Sequence, residues 1–236
     1  SFYNLNPDMT PDLVDNFSLQ AKINQKGAEA SGLKLGTPIT YRAGDQPNNA
    51  LSLNVMKPGE VAATGGTSGV VYALTDNMQT KELERINHFA HVNYTASAPV
   101  IGKLLCINGA GIQYRWMKNN TGAESYNHMN QLADAAPIGA NGLCVMPFGN
   151  GAERMLGNKN VEARMLNINL NKHDQGSIYR ATLEGIAFSF IYGMEFIKSD
   201  NTPLHVIRAG NDNLFISEIF SNTIASLIGQ EIEIYN

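Results

Sequence analysis

The chain has 236 residues, 43% hydrophobic and 16% charged, which suits one large or two small folded domains and excludes bulk disorder. Seventeen Lys and Arg against 21 Asp and Glu leave a net charge of −4 with no basic run, so a nucleic-acid partner is not expected. Two cysteines, Cys106 and Cys144, are too few for a disulfide framework or a cysteine-ligated zinc, and fit a reducing, cytoplasmic compartment.

No apolar stretch approaches the roughly 18 residues of a membrane span, and no basic-then-apolar leader opens the chain, so no membrane partner is expected either. The first residue is Ser1 rather than Met, inside an amphipathic pattern, which suggests part of something longer.

Thr10-Pro11-Asp12 reads as a helix start, and Leu13, Phe17, Ala21, Ile23 and Ala28 recur at roughly helical spacing until Gly32. Residues 36–41 are β-rich. Asp45 is placed to cap a helix running through Ala50, Leu51 and Val55. After Pro58-Gly59 the pattern turns to β: Val61–Thr64 and Val70–Leu74 flank Gly65-Gly66-Thr67-Ser68-Gly69, a hairpin with a glycine-rich turn.

Residues 76–100 are polar and show no clear element. Leu104–Ile107 reads as a buried strand ending in Asn108-Gly109-Ala110-Gly111, followed by a helix over Ile112–Lys118. Residues 119–135 are polar again. Leu143–Phe148 is a further strand leading into the loop Gly149–Arg154.

The clearest helix runs from Ser177 to about Lys198, with Ile178, Thr182, Ile186, Phe190 and Met194 in one core-facing stripe and Arg180 and Glu184 a turn apart, able to pair. His205–Gly210 reads as a strand breaking into a helix over Asn211–Leu227, and Glu231–Tyr235 alternates as a last strand. This order predicts an α/β fold.

Glycine clusters at strand ends free backbone N–H groups to converge on phosphate oxygens. Three occur here, at Gly65–Gly69, Gly109-Ala110-Gly111 and Ala209-Gly210-Asn211. Each alone reads first as a tight turn, which needs glycine with or without a ligand; three on strands of one sheet point further, to a ligand. A P-loop is absent, and no complete Gly-x-Gly-x-x-Gly opens a helix.

Asp45 has two readings: a helix N-cap, or a general base accepting a proton from a hydroxyl that attacks phosphorus. Glu153 and Arg154 could touch a ligand or form a solvated ion pair. His88 and His91, three apart, could share a helix face, but without a third ligand nearby no metal site is assigned.

Together these segments resemble the carboxy-terminal portion of a carbohydrate kinase of the FGGY family, most like its xylulokinases. Gly36-Thr37-Pro38 and Gly44-Asp45-Gln46 are similar to the family's Gly-Thr-Pro-Val and Gly-Asp-Gln segments. Gly66-Thr67-Ser68-Gly69 matches its phosphate turn, and Gly109-Ala110-Gly111-Ile112-Gln113 with Trp116 its Gly-Ala-x-x-Gln-Trp region. Pro147-Phe148 and Gly151-Ala152-Glu153-Arg154 resemble its Pro-x-x-x-Gly-Glu-Arg loop, and Arg180–Phe188 its Arg-Ala-x-x-Glu-Gly-Ile-Ala-Phe helix. Where the family carries Gly-Gly-Gly or Gly-Gly-Ala against adenosine, this chain has Ala209-Gly210-Asn211-Asp212-Asn213, with altered spacing.

The resemblance implies an actin/hexokinase/Hsp70-like (ribonuclease H-like) ATPase fold, a mixed sheet with helices on both faces, here as a fragment of a two-domain kinase. Residues 1–57 would be the tail of the amino-terminal domain with the interdomain segment. Residues 58–236 would be the carboxy-terminal, nucleotide-binding domain without its final helix. It implies transfer of the ATP γ-phosphoryl to a sugar hydroxyl, a pentulose such as D-xylulose or a related polyol, with Mg²⁺ bridging phosphate oxygens.

Asp45 would be the catalytic base, Gly66, Thr67 and Ser68 would hold phosphates, and Gly109, Gln113, Gly210 and Asn213 the nucleoside. The expected partners are the sugar and the missing amino-terminal domain, with a homodimer open. Alone, the chain is expected to be inactive. The alternatives are a nucleotide-binding or regulatory module without transfer chemistry, and a dimerisation domain.

Overall fold

The computed structural model describes residues 6–9, 11, 12 and 14–236. Thr10 and Leu13, two members of the helix expected over 10–32, lie outside the described residues. The rest of that expectation is corrected. Phe17–Lys22 is strand β1, and the helix α1 spans only Gln25–Ser31. Phe17-Ser18-Leu19-Gln20-Ala21 also alternates with period two, and the partner strand β2 (Pro38–Tyr41) settles it, with the Phe17 and Tyr41 rings stacked at 5.0 Å. Asn24 caps α1 by accepting from the Gly27 N–H, and Gly32 closes it at φ +73°.

Helix α2 spans Asp45–Ser52, and its N-cap is Gly44, so Asp45 is the first helical residue rather than the cap. The Asp45 Oδ1 accepts from the Gln46 N–H at 2.9 Å, a carboxylate against the positive end of the helix.

The hairpin forms as the sequence predicts, from β3 (Glu60–Gly65) and β4 (Gly69–Thr75). β5 (Asn87–Ala90) and β6 (Ile101–Ile107) extend the sheet on one side. Between β6 and the last strands the chain forms helices α3 (Gly111–Thr121) and α4 (Tyr126–Ala135), strands β7 (Cys144–Phe148) and β8 (Glu162–Leu166), and helix α5 (Gln175–Ser199). β9 (Val206–Gly210), helix α6 (Glu218–Ile228) and β10 (Glu231–Tyr235) complete the described chain.

The main sheet has the order β10-β9-β3-β4-β6-β5, with β9 parallel to β3 and β10 and the remaining pairs antiparallel. The expected strand near 143–148 is present but lies outside this sheet, in a ribbon with β8. It packs on α5 so closely that a Cβ on Gly185 would come within 2.0 Å of the Val145 carbonyl oxygen. The polar stretch 119–135 hides α4, which starts where Ser125 accepts from the His128 N–H. The helix expected over 211–227 is two pieces, a 3-10 turn at Asn213–Ile216 and then α6, broken at Ser217.

Alternation along β3, β4 and β6 gives the sheet two apolar faces. Val61, Ala63, Val71, Ala73, Leu105 and Ile107 face α5, where Ile186, Phe190 and Met194 are fully buried as the stripe predicts. Ala62, Tyr72, Leu74 and Leu104 face the other way, against Ala50, Leu53 and Val55 of α2 and the residues just after it. Covering both faces leaves the strand ends as the place where backbone groups stay accessible. Arg180 and Glu184 do pair, at 2.8 Å, and both reach the loop after α4 through the Ala136 carbonyl and the Gly139 N–H. Among the described residues no helix is long and apolar enough to cross a membrane.

His88 and His91 do not share a helix. His88 lies in β5, within reach of Thr80 and Asp200. His91 is fully buried between α2 and the sheet, its ring nitrogens meeting the Tyr72 hydroxyl and the Val55 carbonyl. Burial lowers its pKa from 6.5 to about 4, against the Val55 carbonyl bond that favours the charged form. The unfolded chain therefore binds the proton first. Stability held above pH 6.5 should fall by roughly 3 kcal/mol as the pH drops to about 4. Urea titrations at pH 7 and 4.5 test this: His91→Gln should flatten that limb, and an unchanged slope would remove His91 as its source.

Candidate nucleotide and phosphate site

Strands β3, β6 and β9 run in one direction and end at one edge of the sheet, at Gly65, Ile107 and Gly210. All three glycine-rich turns therefore meet there, beyond the carboxyl ends of parallel strands, the usual position of ligands in such sheets. The start of α3 docks directly on the hairpin bend. The Gly111 N–H donates to the Gly66 carbonyl and the Ile112 N–H to the Thr67 carbonyl, each at 3.0 Å.

The glycines of this edge are not equivalent. A Cβ on Gly111 would sit 2.4 Å from the Gly66 carbonyl oxygen, and one on Gly109 would sit 1.9 Å from the Pro147 carbonyl oxygen. Both are required by packing. A Cβ on Gly66 would meet nothing nearer than the Ser68 carbonyl oxygen at 3.7 Å, so packing alone does not demand glycine there. Gly109→Ala must displace backbone and should destabilise the fold by about 1–3 kcal/mol or more, read as a lowered melting temperature. Wild-type melting in that variant would show that the turn yields freely.

Beside the bend lies a cleft of about 480 Å³, on the sheet face covered by α3 and α5. Gly66, Thr67 and Gly111 form one end of it, and Asn213 and Leu214 one wall. Asn213 holds φ +48°, a left-handed conformation that asparagine tolerates. The opposite wall comes from α3 and α4. The Tyr114 hydroxyl donates to Asn130 Oδ1 at 2.7 Å, and the Tyr114 and Tyr126 rings stack at 5.8 Å. Arg115 supplies a cation and Asn127 a further amide. Sequence reasoning missed this wall, because the polar segment bearing Tyr126, Asn127 and Asn130 gave no helical pattern. Its one signal is the cap residue Ser125.

Of the residues singled out from sequence, Gly66, Thr67 and Asn213 line the cleft. Ser68 is in the bend but not in the lining. Gly210 ends β9 opposite Tyr235, next to the lining rather than in it. Gly109 is packed beneath the Pro147–Phe148 backbone. Gln113, only 7% exposed, faces a separate cavity of about 290 Å³ with Trp116, Gly149 and Arg164.

Asp45 is exposed and lies on the other face of the sheet, at the start of α2. There its charge, with that of Glu153, helps raise the Cys106 thiol, whose pKa is pushed up chiefly by burial and pulled down by Arg154. Cys106 is the neighbour of Val70, one residue past the bend. The cleft and α2, with Asp45 at its start, thus lie on opposite faces of the sheet.

Glu153 and Arg154 are not a solvated pair. Glu153 is 1% exposed and its Oε2 accepts from the Asn108 N–H at 2.9 Å and the Gly109 N–H at 3.4 Å, while Arg154 donates to the Glu84 carbonyl at 2.6 Å. Burial raises the Glu153 pKa and outweighs the lowering by those backbone bonds.

The fold, a mixed α/β sheet with helices on both faces, is the one shared by solved sugar kinases of the actin/hexokinase-like ATPase fold. The solved xylulose kinase from Rhodospirillum rubrum superposes with a TM-score of 0.84 at 20% identity, covering 98% of this chain and 46% of that one. No family model matches the chain. In sequence it is 29% identical over 196 residues to a gluconokinase of Bacillus licheniformis, covering 78% of this chain and 37% of that protein. It is 24% identical over 204 residues to a xylulose kinase of Bacillus subtilis, covering 86% and 40%. These relatives are sugar kinases of the FGGY family, and the chain resembles their carboxy-terminal portion. It spans less than half of their length.

Proposed function

We propose that this chain is the nucleotide-binding portion of an ATP-dependent sugar kinase, with a pentulose such as D-xylulose as substrate and residues 58–236 as the carboxy-terminal domain. The observation that carries the reading is that the 65–67 bend, Gly111 at the start of α3 and Asn213 just after β9 line one cleft at the carboxyl strand ends, with a glycine at position 66 that packing does not require. The amides and hydroxyl of the 66–68 bend would meet phosphate oxygens. Tyr114, Tyr126 and Asn213 would flank the nucleoside. Among the described residues no three His, Cys, Asp or Glu side chains gather to hold a metal, so Mg²⁺ would come with the phosphates rather than in a protein cage.

ATP supplies the phosphoryl group. The chain's own part is to hold the phosphates against the bend and, through Asp45, to accept the proton of the attacking hydroxyl. Gln113 and Gly109 are better read as supports of the α3 start than as nucleoside contacts, given where they lie. The sugar and the amino-terminal domain would approach from the α2 side, and closure would exclude water.

Calorimetric titration with MgATP tests the reading on the chain as it stands. Binding is expected, together with no sugar-dependent release of ADP, because the second domain is needed to assemble the reactants. Gly66→Ala should weaken binding about tenfold or more without lowering the melting temperature, since the added methyl enters the cleft and not the core. No heat of binding by the wild-type chain, or full affinity in Gly66→Ala, would defeat the assignment of the cleft.

A further inference from the structure

Among the described residues, Glu153 is a buried carboxylate without a cation paired to it. Its neighbour Arg154 turns away to the Glu84 carbonyl, and its own Oε1 has no hydrogen-bond partner among the described residues. Burying such a group is costly unless hydrogen bonds compensate it. What it does is collect two backbone donors, the Asn108 and Gly109 N–H groups, on the single oxygen Oε2. Two side-chain amides close the same seam: Asn108 Nδ2 donates to the Ala152 carbonyl at 2.7 Å and Asn150 Nδ2 to the Asn108 carbonyl at 3.0 Å.

The carboxylate is itself mounted on a fixed base. The Glu153 N–H donates to the Lys159 carbonyl and the Glu153 carbonyl accepts from the Asn158 N–H, while Met155 below it is fully buried. On the far side of the turn, two residues after Gly109, the Gly111 and Ile112 N–H groups hold the Gly66 and Thr67 carbonyls. One line of hydrogen bonds therefore runs from Glu153 through Asn108–Gly109 and the start of α3 to the 66–67 bend.

We infer that Glu153 is a positioning residue for the phosphate turn, acting through Asn108–Gly109 and the first residues of α3 to hold the Gly66–Thr67 bend in place at the cleft. A carboxylate suits this task because it accepts from both N–H groups at once and so fixes the direction of the turn. The inference rests on the cleft being the nucleotide site only for its effect on ATP; its structural content stands in the ligand-free protein.

The test uses the whole chain with Glu153→Ala, Glu153→Asp and Glu153→Gln. Amide hydrogen exchange without ligand is read at Gly111 and Ile112, with Leu105 and Ile107 of β6 as references. Ala, and Asp whose carboxylate is one methylene too short to reach, should each speed exchange at Gly111 and Ile112 about tenfold and leave Leu105 and Ile107 unchanged. Gln keeps one acceptor oxygen and should restore most of the protection. MgATP affinity should fall about tenfold in Ala and Asp and recover in Gln.

Exchange at Gly111 and Ile112 that is unaltered in Asp, or speeded equally across β6, would overturn the inference by making Glu153 inert or merely part of overall stability. Should Ala fail to fold, Asp and Gln decide the matter by the same reading. If the wild-type chain binds no MgATP, the nucleotide assignment fails, while the exchange result still decides the role of Glu153.

Discussion

If the proposed reading holds, Asp45→Asn in a protein joining this chain to an amino-terminal kinase domain should lower turnover by about 10²–10⁴-fold while MgATP affinity changes little, the signature of a group used in the chemical step and not in binding the nucleotide. Asparagine keeps the shape and an oxygen able to accept from the Gln46 N–H, the one hydrogen bond that Asp45 makes through its side chain. It cannot take a proton. The helix that presents it should be undisturbed, because α2 is anchored at its other end by Ala50, Leu53 and Val55 against Tyr72 and Leu104. Position matters as much as chemistry. Asp45 lies at the start of α2, on the sheet face opposite the cleft, so the base role requires the substrate hydroxyl to be brought to it from the α2 side. Steady-state kinetics on the protein carrying both domains would read the result, and near-normal turnover would take Asp45 out of the base role.

Lys103→Met is expected to destabilise the fold by about 3–5 kcal/mol, a melting temperature lowered by roughly 10 °C, because it strands the Asp200 carboxylate in the interior. Lys103 and Asp200 are 1% and 2% exposed, and their charges meet at 2.6 Å. Asp200 also accepts from the Lys81 N–H at 2.6 Å and the Thr80 hydroxyl at 2.8 Å, so one carboxylate ties β6 and the end of α5 to the loop before β5. Burial works to raise the Asp200 pKa, but the bonds from Lys103, Lys81 and Thr80 outweigh it and hold the group at about 2. The folded state therefore gains from this carboxylate above pH 3.8 and loses that gain as the pH falls toward 2. The gap between wild type and Lys103→Met should narrow on acidification, and the double change Lys103→Met with Asp200→Leu should be milder than Lys103→Met alone. A single variant that melts like the wild type would show the pair to be dispensable.

The elements legible in the sequence are those whose local pattern and tertiary role agree. The long helix α5 carries an apolar stripe that a 3.6-residue period makes unmistakable, and the stripe is the core. The β3–β4 hairpin has period-two strands and a glycine turn, and it forms in register from Val61–Ala73 to Gly65–Gly69. Where two periods fit one stretch, as at Phe17–Ala21, sequence alone could not choose, and the pairing with β2 did. Helix α4 was hidden because its buried side is narrow: only Met129 and Ala133 are fully enclosed, and its polar side faces the cleft. That is also why Tyr126, Asn127 and Asn130 of the candidate site escaped the sequence reading.

By itself the sequence determined the glycine-rich strand ends, the acidic residue at 45 and the order of segments shared with sugar kinases, because these depend on residue types at short spacing. Tertiary structure alone decided which glycines are demanded by packing and which leave room for a ligand, since a Cβ at 109 or 111 meets backbone from segments remote in the chain. It also turned Glu153 from a loop carboxylate into a buried anchor, a change made by the fold bringing the 108–109 turn to it across more than forty residues of chain. Spacing along a chain reports on local geometry; burial and convergence arise only when the sheet is assembled.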